Sequence, residues 1–347
     1  MVEIEYRNLQ KIKGGSYIIT LPSRWVESLG LRKGEKVVMV RDALGLRILP
    51  SAELEMPTVE ISKGEVGNVI KYLRYLTFSF YMQGVERVVL SAEDGFTPEE
   101  RKELRKIAGE LVGADIIEDA HNRIVFRFLT KLDEENFFDR LTRMMRFAYE
   151  IHRDAYLSLL ERNVSAASEI VERISEVLKQ YRVTFRVLSL TLLQPTRGSP
   201  FSDVRLITLY AAMMRDLYMT VYYATQIARS LIELGTEQID AEIFKKITNM
   251  YEIVVAMYER VLVALTKGAT VNELFQNSKA FSEIKKLDEE VSTSRDYRLM
   301  MLSRNIRRAG GYAIALSDIL VNKLVVERTS PFFKSGITTT STLPEQE

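Results

Sequence analysis

The chain predicts an α+β multidomain protein, with a β-rich unit first, a small α/β segment next and a long all-α region last. Three observations lead there. Apolar and polar residues alternate with a period of two at the start of the chain. Strand and helix signals are mixed over residues 55–130, and from 131 to 328 glycine and proline are sparse within helical periodicity. With 347 residues, 46% of them apolar and 27% charged, the chain can build two or three domains with a sizeable core.

The opening elements follow in order. Val2, Ile4 and Tyr6 alternate with Glu3, Glu5 and Arg7, which predicts a strand. Gly14-Gly15 supplies a turn, and Ser16 to Leu21 reads as a second strand ended by Pro22. Ser23 is placed to cap a short helix containing Trp25, Val26 and Leu29, with Gly30 closing its C-terminus. Lys36 to Arg41 and Leu46 to Leu49 form a hairpin around Leu44-Gly45, and Pro50 punctuates the end.

In the α/β segment, Ser62 and Glu65 have capping-box spacing before a helix through Tyr81. Glu86 to Ser91 reads as a strand. Thr97-Pro98-Glu99-Glu100 is a stronger helix start, with a cap, a proline at the first position and an acidic first turn. That helix should run to about Val112, followed by strands at Asp115–Ile117 and Ile124–Phe128.

Breaks at 195–200, Gly235 and Gly268 divide the rest into six long helices. Tyr223-Ala224 followed by Ile227-Ala228 recurs 89 residues later as Tyr312-Ala313 followed by Leu316-Ser317, which predicts two three-helix repeats. After Ser330 a tail rich in Ser, Thr and Pro is expected to be disordered. The predicted domains are 1–51, 55–130 and 131–328, with 329–347 as tail.

Composition narrows the chemistry. There is no cysteine, which excludes disulfides, thiolate metal sites and cysteine catalysis. His121 and His152 are the only histidines, too few for a histidine-rich metal site. No glycine-rich phosphate loop appears, so an enzyme is not expected. No signal core and no run of 18 apolar residues is seen, and a cytoplasmic address without membrane insertion is expected. Net charge is only +1, yet residues 1–50 carry nine Lys/Arg against five Asp/Glu.

About 50 residues without cross-links rarely form a stable fold alone. The apolar faces of Ile4, Tyr6, Ile18, Leu21, Val37, Val38, Met39 and Ile48 need cover, and an identical hairpin from a second chain supplies it. A two-fold pair would gather Arg7, Lys11, Lys13, Arg24, Arg32 and Lys33 from both copies against duplex DNA. The stretch "YRNLQKIKGGSYIITLPSRWVESLGLRKGEKVVMV" closely resembles the AbrB/SpoVT swapped-hairpin DNA-binding domain in its archaeal form. That resemblance implies an intertwined, dimeric β-barrel that docks basic strand and loop residues on DNA. The same fold also serves non-DNA roles in antitoxin-like proteins.

The six helices in two triplets resemble the PhoU family of cytoplasmic regulators of phosphate uptake. The family is expected to hold metal clusters with acidic residues four apart. Glu172 and Glu176 have that spacing, and two carboxylates on one helix face can chelate a hard cation. The family's usual aspartate two residues further on falls at Leu178. Its third-helix acids fall at Tyr222 and Arg229 in the first repeat, and at Gly311 and Asp318 in the second. Only Asp318 is acidic, so no cofactor is expected beyond a residual divalent metal on Glu172, Glu176 and Asp318. Glu169, Glu172 and Glu176 read otherwise as a solvated face, Tyr222 and Tyr223 as packing, and Arg307-Arg308 as a surface ion pair, with contact to an anion as the alternative.

The resulting expectation is a dimeric, DNA-binding transcriptional regulator of the PhoU type in phosphate uptake control. Its partners would be DNA, a second copy, and a phosphate-transport or signalling protein. The alternatives are a non-DNA adaptor docking a transporter or kinase through the bundle, a metal-binding structural or storage protein, and an architectural DNA-binding protein.

Overall fold

Gly14 and Gly15 adopt φ of +116° and +93°, and this left-handed pair turns the first hairpin. In the computed structural model, which describes residues 4–42, 45–50, 58–129, 137–193, 201, 203–235, 238–294 and 296–329, the hairpin joins β1 (Gln10–Lys11) to β2 (Tyr17–Ile18). The register pairs Gln10 with Ile18 and Lys11 with Tyr17. Residues 4–9 form no strand within one chain, unlike the strand predicted over Val2–Arg7, of which Val2 and Glu3 lie outside the described residues. A strand needs a neighbour for its backbone groups, and one copy offers only the short pairing just given.

Helix α1 spans Ser23–Ser28. Its cap position is Pro22 rather than Ser23, and no side chain caps it. Gly30, at φ +63°, does close it, with Gly30 N–H bonded to Glu27 C=O at 3.0 Å and Leu31 N–H to Val26 C=O at 3.1 Å. Strands β3 (Val37–Asp42) and β4 (Gly45–Pro50) then pair antiparallel from Val37↔Pro50 to Asp42↔Gly45. These elements belong to the first of two compact units, Met1–Glu55; the second is Met56–Glu347.

The second unit starts with a mixed four-stranded sheet in the order β5-β6-β8-β7. β5 (Thr58–Ser62) runs parallel to β6 (Arg87–Ser91), linked by helix α2 (Ile70–Met82). β7 (Ala114–Asp119) and β8 (Arg123–Phe128) add antiparallel, and α3 (Pro98–Glu110) connects β6 to β7. The capping box predicted at Thr97 is present, with Glu100 N–H donating to the Thr97 hydroxyl at 3.2 Å and Thr97 N–H to the Glu100 carboxylate at 2.9 Å. The box predicted at Ser62 and Glu65 is not. Ser62 ends β5, Glu65 lies in a 3-10 turn, and α2 begins only after Gly67 and Asn68 reverse the chain with positive φ. Strand β5 was not anticipated, although Thr58, Val59 and Ile61 carry a β-branched signal.

Seven further helices follow among the described residues: α4 (Phe137–Leu160), α5 (Val164–Glu172), α6 (Ile174–Leu193), α7 (Arg205–Leu234), α8 (Ala241–Lys267), α9 (Val271–Val291) and α10 (Tyr297–Thr329). The predicted second helix is thus broken at Arg173 into α5 and α6. Gly235 and Gly268 end α7 and α8 as predicted, both with positive φ. The 195–200 break and the tail after Ser330 lie outside the described residues.

The repeat is visible as packing. Ala224 and Ala313 are fully buried, as are Ile227 and Leu316. Between them Tyr223 of α7 stacks on its repeat mate Tyr312 of α10, with ring centroids 5.6 Å apart and planes at 26°. α10 has the length and composition of a membrane-crossing helix, and in this fold Leu302, Ile306 and Leu316 lie in the bundle core while Val325 is exposed.

The sheet and the bundle meet through α6. Arg186 is only 2% exposed and donates to the carbonyls of Tyr81 (2.7 Å), Val85 (2.8 Å) and Phe128 (3.4 Å). Its guanidinium also faces the Tyr81 and Phe128 rings at 4.9 and 5.6 Å. Burial lowers its pKa to about 10, so the cation remains charged at neutral pH.

Candidate nucleic-acid interface

Every predicted DNA-contacting side chain is exposed. Lys11 lies in β1, Lys13 in the turn beside Gly14-Gly15, Arg24 in α1, and Arg32 and Lys33 in the turn that follows α1. Arg7 precedes β1 and pairs with Glu5. The Arg32 backbone N–H, not its side chain, is held by Glu35 at 3.0 Å. Lys11 and Lys13 border one hairpin tip, which positions two cations beside a backbone whose glycines leave room for close approach.

The apolar residues of the same unit are also uncovered. Among its described residues none is buried. Tyr6 is 94% exposed, Ile4 76%, Leu9 66%, Tyr17 60% and Met39 59%. Burying such a side chain is worth about 1.5–3 kcal/mol, so one copy forgoes most of the stabilisation its own sequence carries.

The predicted metal residues are not brought together. Glu172 ends α5 and Glu176 lies in the first turn of α6, so the break at Arg173 removes the continuous helix face on which their spacing was read. Both are exposed, as is Glu169, and Glu176 accepts a hydrogen bond from Gln180 at 3.0 Å. Asp318 is exposed on α10, a different helix of the other repeat. Among the described residues no group of three or more His, Asp or Glu side chains could hold a metal ion. Arg229 is exposed on α7, and Tyr222 packs edge-on against Tyr223 at 5.2 Å.

The histidines have separate roles. His121 sits at the turn between β7 and β8, against Gly95. Nearby, Arg101 and Arg105 both grip Asp119, at 2.7 and 2.6 Å, and hold its carboxyl below the usual range. His152 of α4 is fully buried in a polar network that sequence reading missed. Its Nε2 lies 3.0 Å from the Thr220 carbonyl and its Nδ1 3.0 Å from the Tyr251 hydroxyl. A carbonyl only accepts, so Nε2 carries the hydrogen and Nδ1 accepts from Tyr251. The ring stacks on Tyr258 at 4.4 Å, whose hydroxyl donates to the Ala309 carbonyl at 2.6 Å. Desolvation pushes the His152 pKa down to about 3, which keeps it neutral. The network ties α4, α7, α8 and α10 together and has no open face for a substrate.

Residues 10–53 match the family model of the antidote–toxin recognition protein MazE, a bacterial antitoxin, and residues 141–231 match the PhoU domain. The second match spans α4 to α7, the first repeat. The crystal structure of PhoU from Pseudomonas aeruginosa is similar, with a TM-score of 0.50 and 16% identity, over 55% of this chain and 95% of that one. PhoU, the phosphate transport system regulatory protein of Streptococcus pneumoniae, aligns with a TM-score of 0.47 and 14% identity, over 59% of this chain and 96% of that one. None of the curated proteins matches. The chain therefore carries a MazE/AbrB-type domain over residues 10–53 and a PhoU domain over residues 141–231.

Proposed function

We propose that this chain is a cytoplasmic, homodimeric regulator of the PhoU type, not an enzyme, that acts in phosphate uptake control and contacts DNA through residues 1–50. The carrying observation is the uncovered apolar surface of the first unit. Ile4, Tyr6, Leu9, Tyr17 and Met39 stand exposed in one copy, and a second copy interleaved with the first covers them. That arrangement places Arg7, Lys11, Lys13, Arg24, Arg32 and Lys33 of both copies on one assembly, and lysines and arginines displace counterions from phosphates. The family of the helical region supports a role in phosphate regulation. The adaptor reading, in which the first unit only dimerises and the bundle docks a transporter or kinase, draws support from the match of the first unit to an antitoxin family, since that unit then need not contact DNA.

A salt-dependent DNA shift assay tests the proposal. Affinity should fall at least tenfold between about 50 and 200 mM salt if several phosphates are contacted. The variant K11A/K13A/R24A should lose binding and remain dimeric by light scattering. Parent-like binding by that variant would show that the wrong surface has been assigned, and salt-independent or absent binding would favour the adaptor.

A further inference from the structure

A cavity of about 840 Å³ opens between α7, α9 and α10, remote in sequence from the hairpin unit. One wall is a row of cations on α10. Arg304, Arg307 and Arg308 line it, and Gly311 continues the same face one turn on. Arg307 is anchored, with its guanidinium 2.9 Å from Asp288 Oδ2; that carboxylate is 5% exposed and also accepts from the Ser303 hydroxyl at 2.6 Å. Arg308 leans toward Tyr223, 3.5 Å from its hydroxyl and 5.9 Å from its ring centroid. Among the described residues neither Arg304 nor Arg308 is in an ion pair. Apolar lining comes from Phe281 of α9 and from Tyr312 and Ala315 further along α10.

We propose that this cavity binds a small phosphorylated anion. Two guanidinia four residues apart repel each other unless an anion lies between them, and the guanidinium fork matches phosphate oxygens in pairs. The Asp288 anchor holds a third fork in place without satisfying the other two. Three guanidinia against Asp288 and Glu289 leave the lining net positive. The volume lies within the range of about 300–1,000 Å³ usual for small-molecule sites, and far exceeds the roughly 30 Å³ that one water takes in the liquid. That space and the aromatic wall fit a phosphate carried on an organic body. Gly311 keeps the cavity open, since a Cβ there would meet only Phe281 Cζ at 3.9 Å and a longer side chain would enter the space.

The test is isothermal titration calorimetry on the full chain with ADP, inorganic phosphate and citrate. Saturable binding of ADP is expected, and it should weaken at least tenfold in R304Q/R308Q. It should also be lost in G311M, a helix-compatible change that fills the cavity without touching a charge, at an unfolding temperature no lower than the parent's. ADP binding tighter than inorganic phosphate assigns the organic phosphate, and equal affinity assigns the free ion. The proposal is overturned if neither phosphate binds, if citrate binds as tightly as both, or if either variant binds like the parent. K11A/K13A/R24A should bind ADP unchanged, so failure here is distinct from failure of DNA contact.

Discussion

His152 shows how far a residue's role depends on what surrounds it. As one of only two histidines it said little beyond ruling out a histidine-rich metal site; the fold makes it the hub of a neutral hydrogen-bonded network. Its pKa in the folded chain, about 3, lies below the ordinary 6.5, so the unfolded chain binds the extra proton first. Its contribution to stability is therefore full above pH 6.5 and lost as pH falls from there toward 3. Denaturant titrations of the parent should show a slope from this residue of about 1.4 kcal/mol per pH unit below 6.5. His152→Gln can still donate to Thr220 and accept from Tyr251, and it should remove that component. An unchanged slope would place the protonation elsewhere. The acidic candidates fared differently. Glu172, Glu176 and Asp318 were legible as residue types, but their relation in space was not: the break at Arg173 puts Glu172 and Glu176 on different helices, and Asp318 lies on α10. Arg186 gave no signal at all, since nothing local distinguishes an arginine that will be buried among carbonyls from one in solvent.

Elements were legible where local chemistry forces them. The Thr97 box, the positive-φ glycines at 30, 235 and 268, and the β3–β4 hairpin all follow from short-range backbone demands. Strand β5 and the delayed start of α2 depended on a sheet partner that comes later in the chain. Adjacent glycines in α10 show the same division. A Cβ on Gly310 would meet Ile284 and Phe281 at 3.1 and 3.2 Å, while one on Gly311 meets only an ordinary contact at 3.9 Å. Gly310→Leu should therefore cost about 1–3 kcal/mol or more by forcing α9 from α10. Gly311→Ala should be neutral or stabilise by up to about 1 kcal/mol through helix propensity. Thermal unfolding of the two variants distinguishes these outcomes, and equal losses at both positions would contradict the packing described.

At the scale of the whole molecule, the first unit has no buried residue among those described, whereas the second has two extensive cores. If a second copy completes the first unit, its stability must rise with concentration and that of the second unit need not. Hydrogen exchange on the full chain should show amides of residues 10–50 gaining about 0.7 kcal/mol of protection per tenfold rise in total concentration, because the dissociated copy that exchanges scales with the square root of the total. Concentration-independent protection would mean that this unit stands alone. The sequence by itself determined the order of the β-rich, mixed and helical regions, the helical repeat and the excess of cations near the N-terminus. All of these are written in spacings of a few residues or in one long periodicity, and backbone sterics and apolar patterning read such spacings directly. Only the tertiary structure decided which side chains meet: the Tyr223–Tyr312 stack, the His152 network, the Arg186 joint and the arginine-lined cavity. Those contacts join residues up to 105 positions apart, and at such separations helix rotation and packing, which no local pattern encodes, set what faces what.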